Sequence, residues 1–225
     1  MHDNPLGTNL SRRALLAGSL GAGLTMTAVD RSLASPTSTV SDSTFSTAAL
    51  TVLATTDIHG HVFDWDYFAD AAFPPSDKGR SSAPLGVSRV ATIAKQVRAE
   101  QGADSVVMLD NGDTIQGTPL TYLSAKQPEK LGHDEVMARA FNLVGYDAAN
   151  IGNHEFNYGV AELFRYHNDL KAPLLCANVI DVKTGKPLTQ GSLMLTKNVA
   201  GHEVKVGIVA VTTPGSMAVS YTHLR

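Results

Sequence analysis

Three short stretches of this 225-residue sequence carry side chains that bind cations and move protons: Asp57-Ile58-His59, Gly112-Asp113 and Gly152-Asn153-His154-Glu155. Residues two apart on an extended backbone point to the same side, so Asp57 and His59 can grip one cation between a hard oxygen and an imidazole nitrogen. Gly112 lets the chain turn sharply and aim the Asp113 carboxylate back toward a sheet, where its two oxygens can bridge two cations. Taken alone, Asp110 and Asp113 could equally cap the turn they sit in. Asn153 offers a neutral amide oxygen beside His154, and histidine is the side chain best suited to proton transfer near neutral pH.

These residues need elements to hold them, and the flanking sequence supplies a regular rhythm. Residues 50–56 form a β-rich run that ends at Asp57. Between Gly86 and Gly102, Val87, Val90, Ala94 and Val97 recur at helical spacing. Residues 105–109 predict an apolar strand running into Asp110-Asn111-Gly112-Asp113, and residues 134–144 a helix stopped by Gly145. A short strand over 147–151 delivers Gly152-Asn153-His154-Glu155; a helix over 160–170 and a strand over 173–179 follow. Residues 192–199 and 203–211 read as two antiparallel strands joined at Ala200-Gly201-His202. Alternating strands and helices predict an α/β layered domain, with polar loops gathered at the C-terminal ends of the strands. The irregular stretch from Asp64 to Pro84 is expected to overhang that end, with Trp65, Tyr67 and Phe68 packing it onto the sheet.

The net charge of −3 offers no basic excess to suggest a nucleic-acid duplex as partner, and small phosphorylated molecules remain candidate substrates. Cys176 is the single cysteine, so no internal disulfide can form, and its apolar surroundings predict a small buried side chain. At the other end of the chain, Arg12 and Arg13 precede an apolar stretch that reaches about Val29, followed by Ser32-Leu33-Ala34, a small-x-small cleavage pattern. Residues 1–34 are therefore expected to be an export signal of the twin-arginine type, meeting a membrane only during export to the periplasm, cell surface or exterior. An ordinary secretory signal is the alternative. Residues 35–49, rich in Ser and Thr, read as a flexible lead-in.

In order and spacing, D-x-H, G-D and G-N-H-E resemble the calcineurin-like metallophosphoesterases, and the residues around them resemble the 5′-nucleotidase branch. Asn157, with Phe156, Tyr158 and Gly159, is most similar to the 2′,3′-cyclic-nucleotide 2′-phosphodiesterase/3′-nucleotidase enzymes. The resemblance implies a layered metallophosphoesterase fold, a β-sheet sandwich flanked by helices. It also implies two divalent metal ions of the Mn, Zn, Fe or Mg kind, bound by Asp57, His59, Asp113 and Asn153, with His154 as the catalytic residue. Metal-activated hydroxide would attack the phosphorus of a nucleotide ester. Asn157, His61 and Asn111 would stand behind the ligands. An amide at 157, where the 5′-nucleotidase pattern usually has Asp, holds an imidazolium less strongly than a carboxylate does.

Other readings remain open. His59-Gly60-His61 is also an amidohydrolase pattern, though it leaves Asp113 and Gly-Asn-His-Glu without a role. A 5′-nucleotidase is the alternative within the enzyme class. The G-H-x-H segment and the base-binding domain implied by the resemblance do not occur in this sequence, and His133, His167 and His202 read as surface or helix-end histidines. Residues 50–219 are thus expected to be the N-terminal part of a catalytic domain incomplete at its C-terminus, and 220–225 a non-native tail. A catalytically incompetent metal-binding fragment is the reading from another class.

Overall fold

A computed structural model describes residues 47–72, 85–132, 134–181 and 183–215. The proposed signal, most of the lead-in, the end of the overhanging stretch and the final ten residues lie outside these. The described residues from Leu50 onward form one compact unit.

Its centre is a parallel sheet in the order β1-β2-β3-β4, with β1 at Thr51–Thr55, β2 at Val106–Asp110, β3 at Ala148–Asn150 and β4 at Leu174–Leu175. Parallel neighbours need crossovers, which α1 (Val87–Gln101), α2 (Pro119–Lys126), α3 (Val136–Val144) and α4 (Val160–Asp169) supply. The pleat sends alternate residues to opposite faces. Met108, Ala149 and Leu174 join the helices' core of Val87, Ala94, Met137, Phe141 and Leu163. Leu109, Ala148 and Leu175 instead pack with Leu193 and Ile208 of an antiparallel hairpin, β7 (Ser192–Val199) and β8 (His202–Val209). The order of layers is therefore helices, sheet, hairpin. Lys197 on β7 reaches Asp147 at 2.8 Å, fastening the hairpin at the start of β3.

The helices begin and end where local chemistry dictates. Gly86 and Gly145, both at positive φ, bracket α1 and α3, and Arg98 donates to the carbonyls of Val144 and Gly145 at the C-terminus of α3. Helix α2, which hydrophobic spacing does not announce, is set by Thr118 as N-cap, Pro119 in the first turn and a reciprocal Thr118–Thr121 box. A two-residue pair, β5 (Ile180–Asp181) with β6 (Lys186–Pro187), is likewise silent in the pattern.

Three local expectations need correction. The strand expected over 173–179 stops at Leu175, because Cys176 and Ala177 turn their amides to Gln190 and Ala210. Strand β8 includes His202 and ends at Val209. Phe68 is 80% exposed, so it does not pack the 64–72 stretch onto the sheet; Asp66 Oδ1 instead caps the amides of Phe68 and Ala69. Cys176 is fully buried, as its apolar neighbours predict.

Burial raises the pKa of three carboxyls, Asp110, Glu135 and Glu155, and gives the fold an unusual pH dependence. Burial raises the pKa of Asp110 from 3.8 to about 7, against the opposing hydrogen bonds from Thr55, Thr114 and Gly112. Burial likewise raises Glu135, the N-cap of α3, from 4.5 to about 8, and its Oε1 has no hydrogen-bond partner. Between those ordinary and raised values the folded chain retains protons that the unfolded chain has released, so stability falls as pH rises. In metal-free buffer the urea midpoint is expected to be lower at pH 8.5 than at pH 5.5, with the slope unchanged. A midpoint that climbs over this interval would contradict the assignment.

Candidate metal centre

Strand β1 ends at Thr55, and the residues beyond it do not continue as extended chain. Asp57 and His59 both adopt left-handed backbone, with φ of 54° and 48°. The expectation of an extended Asp-x-His is therefore wrong in its mechanism. The two side chains nonetheless converge, His59 Nε2 lying 3.7 Å from Asp57 Oδ1. Their loop is bound to the loop after β2 by main-chain bonds: Asp57 to Gly112, His59 to Asp113 and Gly60 to Thr114, at 3.1, 2.9 and 2.8 Å. Asp113 is also left-handed, with φ of 59°. Non-glycine residues pay for that conformation, and three of them in two adjoining loops mark a site where position outweighs local comfort.

The third loop closes on the second. The backbone N–H of His154 donates to Asp113 Oδ1 at 2.7 Å. His59, Asp113 and His154 each offer a donor atom within 4.8 Å of the others. The His59 and His154 rings meet edge-on, with centroids 5.1 Å apart. Asn153 opens the single 3-10 turn His154–Phe156 beside them.

Hydrogen bonding fixes which imidazole nitrogen each histidine presents. His59 Nδ1 lies 2.9 Å from the carbonyl of Gln116, which can only accept. Nδ1 therefore carries the proton and Nε2 presents its lone pair toward Asp57, the tautomer that a cation requires. At His154, Nδ1 lies 2.8 Å from the Asn157 side-chain nitrogen, an NH2 donor, which leaves Nε2 as the protonated nitrogen of the neutral ring. One histidine is poised to accept a cation and the other to donate a hydrogen bond.

The remaining sequence candidates fall around this cluster. His61 sits one turn on, its ring 6.2 Å from Tyr67, and burial together with the neighbouring His59 pulls its pKa below the ordinary value. Asn111 is exposed and acts through its backbone, donating to the Thr55 carbonyl and accepting from Asn150. A cleft of about 490 Å³ opens on the hairpin side of the sheet, lined by Thr56, Asn111, Asn150 and Val211 among others; none of the cluster residues lines it.

Sequence reasoning assigned no part to three groups that shape the site, and to a fourth, Asp110, only the capping of its turn, where it does accept from Gly112 N at 3.0 Å. Asp110, buried, accepts from Thr55 Oγ1 and Thr114 Oγ1 and ties β1 to the second loop. The Gln116 carbonyl orients His59. Thr118 donates to the Gly60 carbonyl, drawing the start of α2 under the first loop. Glu155 is completely buried between the second and third loops. The acidic residue closing Gly-Asn-His-Glu was the one available signal among these.

The donor set of carboxylate oxygens and imidazole nitrogens, with His59 held in the ligating tautomer, fits a divalent transition metal or Mg²⁺.

No family model matches the chain. Among curated proteins, a 2′,3′-cyclic-nucleotide 2′-phosphodiesterase/3′-nucleotidase of Yersinia enterocolitica is 38% identical over 184 residues, 80% of this chain and 26% of that protein. A protein of the same name from Haemophilus influenzae is 33% identical, over 78% of this chain and 26% of its own length. Among solved structures, the calcineurin-like phosphoesterase YfkN of Bacillus subtilis superposes with a TM-score of 0.64 at 30% identity, covering 76% of this chain and 50% of that one. The chain spans about a quarter of the length of the curated relatives it matches. In sequence and in fold it is a relative of calcineurin-like phosphoesterases, and the layered α/β fold expected from its motifs is the fold it has.

Proposed function

We propose that this relative of the calcineurin-like phosphoesterases forms one side of a metal centre that hydrolyses phosphate esters of nucleotides. The preferred substrates are 2′,3′-cyclic nucleotides and 3′-nucleotides. The observation that carries this reading is the convergence of His59, Asp113 and His154 within 4.8 Å, at the ends of three neighbouring strands. Asp57, His59, Asp113 and Asn153 would hold divalent cations. Bound there, the cations would supply Lewis-acid polarisation of the phosphoryl group and acidify water.

The chain's own residues divide the remaining work. Asp113, fixed by the His154 amide, keeps its carboxylate facing His59. The Gln116 carbonyl prevents His59 from turning its protonated nitrogen toward the cation. His154, with Nδ1 engaged by Asn157, presents Nε2–H as a hydrogen-bond donor to the oxygen that leaves phosphorus, steadying the negative charge that develops there. Asn157 at this position and the names carried by the two curated relatives support the cyclic-nucleotide preference. The paired arginines Arg12 and Arg13 support export, by the twin-arginine route, of the protein to which residues 50–219 contribute a catalytic part.

The protein to which this chain contributes that part, purified and supplied with Mn²⁺, is expected to open 2′,3′-cyclic AMP and to release phosphate from 3′-AMP. Hydrolysis of 5′-AMP alone would refute the substrate preference and point to a 5′-nucleotidase. His154→Ala is expected to lower turnover by about 10²- to 10³-fold while Mn²⁺ affinity stays within about twofold of the parent. Parallel loss of affinity and turnover would make His154 a ligand instead of a hydrogen-bond donor to the leaving oxygen.

A further inference from the structure

Glu155 is the most constrained side chain near the centre, and the roles given to the cation ligands and to His154 do not use it. It is fully buried, and its carboxylate faces backbone amides. Oε2 accepts from Asp113 N at 2.8 Å and from Gly152 N at 2.7 Å. Oε1 accepts from Thr114 N at 2.5 Å and from Ile115 N at 3.3 Å. Three of these donors belong to the loop after β2 and one to the loop after β3.

The pairing of β2 with β3 ends at Asp110 and Ala149. Beyond that point the two loops approach closely, for a Cβ built on Gly152 would lie 2.5 Å from Asp113 N and 2.8 Å from Glu155 Oε2. Amides in such a place need acceptors, because a buried unpaired N–H is costly. Burial pushes the Glu155 carboxyl up, against the amide bonds that favour its charged form, and as a carboxylate it accepts without donating and serves all four amides. The bonds to Asp113 N and Gly152 N share one oxygen, which makes that oxygen the hinge pin between the loop carrying Asp113 and the loop carrying Asn153 and His154.

We propose that Glu155 is a positioning residue that sets the separation of Asp113 from the Asn153-His154 pair by clamping the two loops through their backbone amides. The inference rests on the metal-centre reading for its consequence, but the clamp itself is a property of the metal-free chain. Glutamine cannot replace it. Either orientation of its amide sets an NH2 group against two backbone N–H groups.

The test uses Mn²⁺ titrated into the purified chain and followed by its paramagnetic resonance signal. Glu155→Gln is expected to weaken Mn²⁺ binding about 10- to 100-fold, the range seen when groups that orient metal ligands are removed. Phe141→Ala, a core change away from the centre, serves as the control that loses stability without losing Mn²⁺ affinity. Parent-like affinity in a folded Glu155→Gln protein would overturn the proposal, as would an equal loss in the control. Should Glu155→Gln fail to fold, hydrogen exchange on the unsubstituted, metal-free chain decides. The amides of Gly152, Asp113, Thr114 and Ile115 are expected to be protected like that of Val107 in β2, and free exchange at them would overturn the clamp. Protected amides in a chain that binds no Mn²⁺ would uphold the clamp and count against the phosphoesterase reading alone.

Discussion

Replacing Asp113 with alanine is expected to remove metal-dependent hydrolysis, with Mn²⁺ affinity falling by at least about 100-fold, beyond the loss caused by disturbing a group that only orients ligands. Two effects combine. The substitution deletes the one carboxylate placed within 4.8 Å of both His59 and His154. It also strands the His154 amide, whose acceptor is Asp113 Oδ1, so the third loop loses its direct tie to the second. Alanine would further have to hold φ of 59°, a conformation that aspartate and asparagine tolerate better. Asp113→Asn separates these contributions. It keeps an oxygen for the His154 amide and the tolerance of positive φ but loses the charge, so its fold should match the parent while metal affinity still falls. Calorimetric titration of both variants with Mn²⁺ gives the comparison, and parent-like affinity in either would contradict the role assigned to Asp113.

Gly112→Ala is expected to be the most destabilising single-methyl change in the chain. Its φ of 95° is one that side chains rarely adopt, and the added Cβ would overlap Gly152 N, lying 2.8 Å from Gly152 Cα and 3.0 Å from the Asn150 carbonyl. Those obstacles are backbone atoms of a neighbouring strand end, which cannot rotate away as a side chain would. Overpacking together with backbone strain should cost about 3 kcal/mol, a fall in Tm of roughly 6–12 °C for a domain of this size. Gly132 provides the internal comparison, because its φ is 83° but nothing lies within 4 Å of the place an added methyl would take. Gly132→Ala should therefore lose only about 1 kcal/mol from backbone strain. Thermal unfolding of the two variants measures the difference, which reports how closely the Asp113 loop and the Gly152 loop approach. Equal shifts would show that the approach is looser than described.

Hydrophobic spacing made the helices legible in advance. Val87, Val90 and Ala94 mark one face of α1, and Met137, Ala140, Phe141 and Val144 mark α3, because burial against a sheet imposes the helical period directly on residue type. The strand ends were legible for a related reason, since apolar runs stop where the chain reaches Asp57, Asp110 and Gly152. Helix α2 follows a different rule. Its start depends on hydroxyl caps at Thr118 and Thr121, a signal carried by two residues instead of a repeating pattern.

The site itself was only half readable. The candidate side chains of the three motifs can be named from spacing, but the left-handed backbone at Asp57, His59 and Asp113 cannot. It arises from main-chain bonds between loops separated by more than fifty residues in sequence. The function of Glu155 was hidden for the same reason. Three of its four partners lie about forty residues away, and they are amides, which every residue possesses and which no residue type reveals.

The central claim is that the loops following β1, β2 and β3 build a cation site. Crystals of the chain soaked with Mn²⁺ and measured near the manganese edge test it most directly. The account predicts an anomalous peak about 2.0–2.2 Å from His59 Nε2 and from an Asp113 carboxylate oxygen, distances usual for such ligands. A peak elsewhere, or no peak on a fully occupied soak with this cluster exposed to solvent, would contradict it.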